Sequence, residues 1–172
     1  MNKKTIISII AVIAVIGGLL YWNKMWSESS KNAQVRELEN SGDMISSKGI
    51  HWHPELKIII RGEAITIPAN IGIGMQYAGR PLYDPMMSMT NMHTHDDSGT
   101  LHWEVMQGPV KKDDVRLANF FAIWGKKFDG NCIFESCNGS EGTVKMLVNG
   151  KENTEFENYL VNDKDKIEIR YE

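Results

Sequence analysis

The chain has 172 residues, enough for one domain of ordinary size and an appendage. Nineteen Lys and Arg face 22 Asp and Glu, a net charge of −3 with no basic stripe, so no nucleic-acid partner is expected.

The appendage is at the start. Met1-Asn2-Lys3-Lys4 is basic, and Thr5 to Trp22 is an uncharged run of 18 residues. At ~1.5 Å per residue this nearly crosses a hydrocarbon core of ~30 Å, with Tyr21, Trp22 and Trp26 at its aromatic end. The run closes on bulky Leu19-Leu20-Tyr21-Trp22 rather than on the small residues of a cleavage site. Residues 1–22 are therefore expected to be an uncleaved membrane anchor that meets the lipid bilayer through residues 5–22. Lys3 and Lys4 hold the N-terminus in the cytoplasm, which predicts a single-pass membrane protein with its domain outside. Without those two lysines, 17 basic residues stand against 22 acidic ones, a net of −5 for the exposed part.

Residues 23–49 are polar, and Val35, Leu38 and Ile45 are too sparse to build a core face. They predict a stalk with a short helix over 29–40. The folded domain is expected over 50–172. Residues 55–68 read as two strands across Arg61-Gly62-Glu63, rich in β-branched side chains. Residues 79–92 read as loop. In 100–106 the alternation places Leu101, Trp103 and Val105 on a core face, with His102 and Glu104 on the other.

A helix is predicted from Asp113 or Asp114 as cap to Gly125 as stop, with Leu117, Phe120, Phe121 and Trp124 at core spacing. Cys132 and Cys137, five positions apart, read as a disulfide that staples a small loop, and no C-x-x-C redox motif is present. Residues 142–149 read as a strand turning at Asn149-Gly150, and Ile167 to Tyr171 as the last strand. Strands, helix, strands is an α+β order with a mixed or antiparallel sheet. The ending is similar to small β-grasp domains, and it lacks the C-terminal Gly-Gly of sulfur carriers and conjugated modifiers.

All five histidines lie in two short segments, His51-Trp52-His53 and the stretch from His93 through His95 to His102 and Glu104. Residues two apart on a strand share a face. Each pair thus presents two ligand-type side chains side by side, and imidazole with carboxylate suits a transition metal. The expected ligand set is His51, His53, His93, His95, His102 and Glu104. Met92, at the end of the methionine run Met86, Met87, Met89, is the soft ligand that places copper ahead of zinc. Asp96 reads equally as a partner orienting His93 or His95 and as a turn cap.

The segments HWHPEL and HTHDDSGTLHWE resemble those of a family of membrane-anchored or secreted prokaryotic proteins of unassigned function, some joined to thiol-redox modules. The resemblance spans most of residues 51–172, and it implies that both histidine segments belong to one domain.

Three functions compete. The first is an anchored extracytoplasmic protein that captures or delivers copper or zinc. In the second, a metal-dependent enzyme, Glu104 is the catalytic general base at a histidine-held ion. No hydrolase elbow, phosphate loop or H-E-x-x-H helix accompanies it, so no reaction class follows. The third is a surface module that serves another membrane protein and carries no metal.

Overall fold

A computed structural model describes the backbone of residues 2–172 and the side chains of Asn2 and residues 12–172. The chain divides into two compact units, the first ending at Asp43 and the second running Met44–Glu172. The first is a single helix, α1 (Lys3–Ser41), unbroken through residues 23–41 of the segment read as a stalk, while residues 44–49 of that segment belong to the second unit. Gly42, at φ 69°, ends the helix. The amides of Gly42 and Asp43 fold back onto the carbonyls of Glu39 and Leu38, the bond pattern of a Schellman cap.

The anchor reading is corrected here. Among the described residues, no helix is long and apolar enough to cross a membrane. The described apolar stretch of α1 from Val12 to Trp22 covers roughly 16 Å, against ~30 Å of hydrocarbon. Lys24, Glu28, Lys31 and Arg36 then follow in the same helix. For residues 5–11 of the expected bilayer segment, the side chains lie outside the described residues. The single-pass localisation with an external domain does not stand.

The second unit is α+β, with several small sheets and one main helix. Its first strands are β1 (Met44–Ser46), β2 (Ile50–Trp52), β3 (Glu55–Ile60) and β4 (Glu63–Ile65). Then come β5 (Tyr83–Asp84), β6 (Met89–Thr90), β7 (Met92–His93), β8 (His102–Val105) and β9 (Val110–Lys111). After α2 (Leu117–Trp124) follow β10 (Cys132–Ile133), β11 (Ser136–Cys137), β12 (Val144–Val148), β13 (Lys151–Glu152) and β14 (Lys166–Tyr171).

The largest sheet has five strands in the order β13-β12-β14-β3-β4. Two tight hairpins frame it. Arg61 and Gly62 between β3 and β4, and Asn149 and Gly150 between β12 and β13, all take positive φ. A two-residue turn of type I′ needs that at both positions, which Asn-Gly supplies at little strain. The last strand, β14, runs parallel to β3 and antiparallel to β12 at the sheet centre. Its Ile167, Ile169 and Tyr171 alternate into the core, where Leu117, Phe120, Phe121 and Ile123 of α2 join the same buried cluster.

Helix α2 starts later than Asp113. Residues Asp113–Val115 form a 3-10 turn, and Arg116 is extended because it bridges Leu160, while the Leu117 amide donates to the Tyr159 carbonyl. The Asp114 carboxylate accepts from the Lys111 amide at 2.8 Å instead of capping α2. Gly125 does end the helix, at φ 74°. Residues 79–92, read as loop, contain the small hairpin β5–β6. Cys132 and Cys137 are disulfide-bonded and face each other across β10–β11.

A buried carboxylate organises the turn before β14. Asp165 accepts from the Tyr159 hydroxyl at 2.7 Å, and from the Asn162 amide and the Asn149 side chain at 2.8 Å each. Burial, reinforced by Asp165, pushes the Tyr159 hydroxyl up to about 12. This turn also reaches the histidine region: Asp163 accepts from the His53 amide at 2.9 Å, and the Asp165 carbonyl accepts from the Glu55 amide at 2.8 Å.

Candidate metal centre

The histidines stand on an antiparallel three-stranded sheet in the order β2-β8-β7. His51 pairs with Glu104 and His93 with His102, while Trp52 and Met92 both pair with Trp103. Side chains alternate along a strand, so His51, His93, His102 and Glu104 share one face. The other face is core, and Trp103 and Met92 are buried there. The parity read from residues 100–106 therefore positions the centre: Leu101 and Trp103 hold β8 from behind, and His102 and Glu104 project away from them.

His53 and His95 extend these pairs past the ends of β2 and β7. The ring centroids of successive imidazoles are 4.7 Å apart for His51–His53 and 4.8 Å for His53–His102, then 4.4 Å for His102–His95 and 4.8 Å for His95–His93. The two segments thus meet in space, and all five imidazoles form one continuous row. Two groups within it could hold a metal ion: His51, His53, His102 and Glu104, and His93, His95, His102 and Glu104. In each, one ligand atom per residue lies within 4.8 Å of all the others. His102 and Glu104 belong to both.

His93 is the deepest member, with no exposed surface. Its Nδ1 lies 3.0 Å from the Thr90 carbonyl oxygen. A carbonyl only accepts, so Nδ1 carries the proton and Nε2 is left with a bare lone pair. That Nε2 is buried and has no hydrogen-bond partner. Burial, above all, holds His93 below the usual imidazole range, and the charges of His95 and His102 act the same way. The imidazole is neutral, with its tautomer set by a backbone carbonyl and its other nitrogen open, which is how a ligating histidine is prepared.

His102 is likewise lowered, first by burial and then by His95 and His53. Its Nδ1 is buried and 3.6 Å from Glu104 Oε1, beyond hydrogen-bond reach. Glu104 accepts from His51 Nε2 at 3.0 Å. The carboxylate thus sits between the exposed His51 and the half-buried His102.

Met92 is corrected as a ligand. Its side chain has no exposed surface and shares the core face with Trp103, opposite the imidazoles. Met86 is almost wholly exposed. Asp96 is a turn cap, because its Oδ1 accepts from the Ser98 amide at 2.9 Å and these Ser98 bonds hold its carboxyl low.

Three positioning residues escaped the sequence reading. Thr90 supplies the carbonyl that orients His93, and its hydroxyl donates to the Met92 carbonyl. Thr94, buried, donates to the Pro68 carbonyl at 2.7 Å and accepts from the Ile71 amide at 3.0 Å, tying β7 to the preceding loop. Gly72, at φ 81°, lies directly behind the site: a Cβ there would come within 2.6 Å of the Met92 carbonyl and 3.1 Å of His93 Cβ. The punctuated run Asn70-Ile71-Gly72-Ile73-Gly74 carried the only sequence signal of that close approach.

The geometry defines an α+β domain whose histidine cluster could hold a metal ion. No family model matches the chain, and no curated protein and no solved structure matches it.

Proposed function

We propose that this chain is a transition-metal-binding protein that captures an ion of copper or zinc on its histidine cluster and hands it on. The observation that carries the reading is His93 Nε2, a buried lone pair with no partner on an imidazole whose other nitrogen is spoken for. An orphaned buried acceptor costs roughly 1–3 kcal/mol, and a bound cation removes that cost. Imidazole-rich sets with one carboxylate suit zinc and copper(II). The placement of Met92 in the core takes away the thioether argument for copper(I). Exposed ligands beside the buried one favour capture and release over a sealed structural site. For the fold, we read the five-stranded sheet as a β-grasp. Support comes from its order and from the parallel pairing of its first and last long strands, β3 and β14, at the centre.

Elemental analysis of the full chain, purified without a histidine tag and dialysed, tests the reading. One equivalent of copper or zinc is expected in the parent, and a substoichiometric amount after dialysis in the His93→Ala/His95→Ala double variant. Equal metal in both removes this site from consideration.

A further inference from the structure

The two ligand groups share His102 and Glu104 and differ in depth. His51 and His53 are both exposed, whereas the other pair joins the exposed His95 to His93, which has no exposed surface. We propose that these are two stations for one ion: His51 and His53 form an outer loading site, and the ion passes from it to an inner resting site on His93 and His95, with His102 and Glu104 bound throughout. This inference rests on the metal-binding reading above.

Charge decides for one ion over two. The six side chains include a single carboxylate, so two divalent ions would bring four positive charges against one negative. At equal separation and dielectric, two dications repel four times as strongly as two unit charges. With two ligands common to both groups, the ions would also be close neighbours. The groups are therefore alternatives for a single occupant.

The row of rings supplies the path. His53 is edge-on to His102 at 4.8 Å, and His102 is edge-on to His95 at 4.4 Å, so each exchange is between adjacent rings. The exposed His51 already touches the shared carboxylate, at 3.0 Å from Glu104 Oε1. Transfer breaks two metal–imidazole bonds and makes two, with no change of oxidation state. His53 is held in place by Asp163 through its backbone amide, which leaves its ring free to exchange.

The test is stopped-flow loading of the full chain with copper(II), followed by quenching of tryptophan fluorescence, with release into excess chelator measured separately. Copper(II) is chosen because it binds nitrogen and oxygen donors most tightly among the divalent ions of its row. In His51→Ala/His53→Ala, one equivalent should still bind with the parental dissociation constant, because the resting site is intact. Loading and release should both slow by the same factor, because their ratio is the unchanged dissociation constant. His93→Ala/His95→Ala should do the reverse, loading as fast as the parent and releasing faster. Parental loading by the His51/His53 variant, a matching loss of its affinity, or two equivalents in the parent would each overturn the two-station scheme. No copper bound by the parent would bring down the metal-binding reading itself.

Discussion

His93→Leu should leave the metal-free protein within about 2 kcal/mol of the parent while weakening its response to metal. Leu fills a comparable volume in the pocket without polar atoms. Deleting the orphaned Nε2 removes a desolvation penalty of ~1–3 kcal/mol. Losing the Nδ1–H bond, 3.0 Å in the parent, takes that donor from the buried Thr90 carbonyl and costs ~1–3 kcal/mol. The net lies between roughly 2 kcal/mol of loss and roughly 2 kcal/mol of gain. An ordinary core truncation, by contrast, costs ~2–5 kcal/mol. The assay is urea unfolding at pH 8 with chelator, then with copper(II) or zinc(II) at a hundred times the dissociation constant. Metal should add about 2.7 kcal/mol to the parent and less to the variant, which keeps only the exposed ligand group intact. If His93→Leu lost more than about 2 kcal/mol without metal, its imidazole would be a satisfied structural group and the argument from the orphaned nitrogen would fail. If the variant kept the full metal-induced gain, His93 would not be a ligand.

Gly72→Ala should lose both stability and metal affinity, since its Cβ would press on the Met92 carbonyl and His93 Cβ at a positive φ that alanine disfavours; unfolding and copper titration of the same sample read the two effects. The metal-free protein should lose stability as the pH falls below about 6.5. There the unfolded state protonates its histidines while His93 and His102, both held low by burial, stay neutral in the fold. Each contributes up to about 1.4 kcal/mol per pH unit, and the loss ends once the pH drops through the lowered folded values. Urea midpoints flat between pH 7 and 5 would contradict this, and the His93→Leu variant should show a smaller slope. Reduction of Cys132–Cys137, which closes a loop of five positions, should cost about 2 kcal/mol by chain entropy. Thiol labelling of unfolded, unreduced protein should find no free thiol.

Much of the domain was legible because its signals are local. The Asn149-Gly150 turn, the β-branched run into Arg61-Gly62, the stop at Gly125 and the pairing of the two cysteines each depend on a few neighbouring residues. Alternation in Leu101-His102-Trp103-Glu104 was enough to separate the histidine face from the core face, because the side-chain period of a strand is two whatever it pairs with. Local signals also misled. Asp113 and Asp114 have the chemistry of a cap, yet Arg116 is drawn into a bridge with Leu160, some forty positions away, and α2 begins after it. The apolar opening was read by length and flanks alone, whereas the described helix carries on into charged residues and is not apolar enough to span a bilayer.

Composition and spacing determined which side chains are available: five imidazoles and Glu104, in pairs that share a face. Tertiary structure decided that the pairs meet. Residues 51–53 and 93–104 are joined only because β8 takes β2 on one edge and β7 on the other, and register is set by pairing partners distant in sequence. The same register turned Met92 inward, one residue out of phase with His93, and so removed the soft ligand. It also brought the Thr90 carbonyl to His93 Nδ1, and with it the open nitrogen on which the metal reading stands. A tautomer is set by what lies 3.0 Å away in the fold, and nothing in the order of residues records that distance.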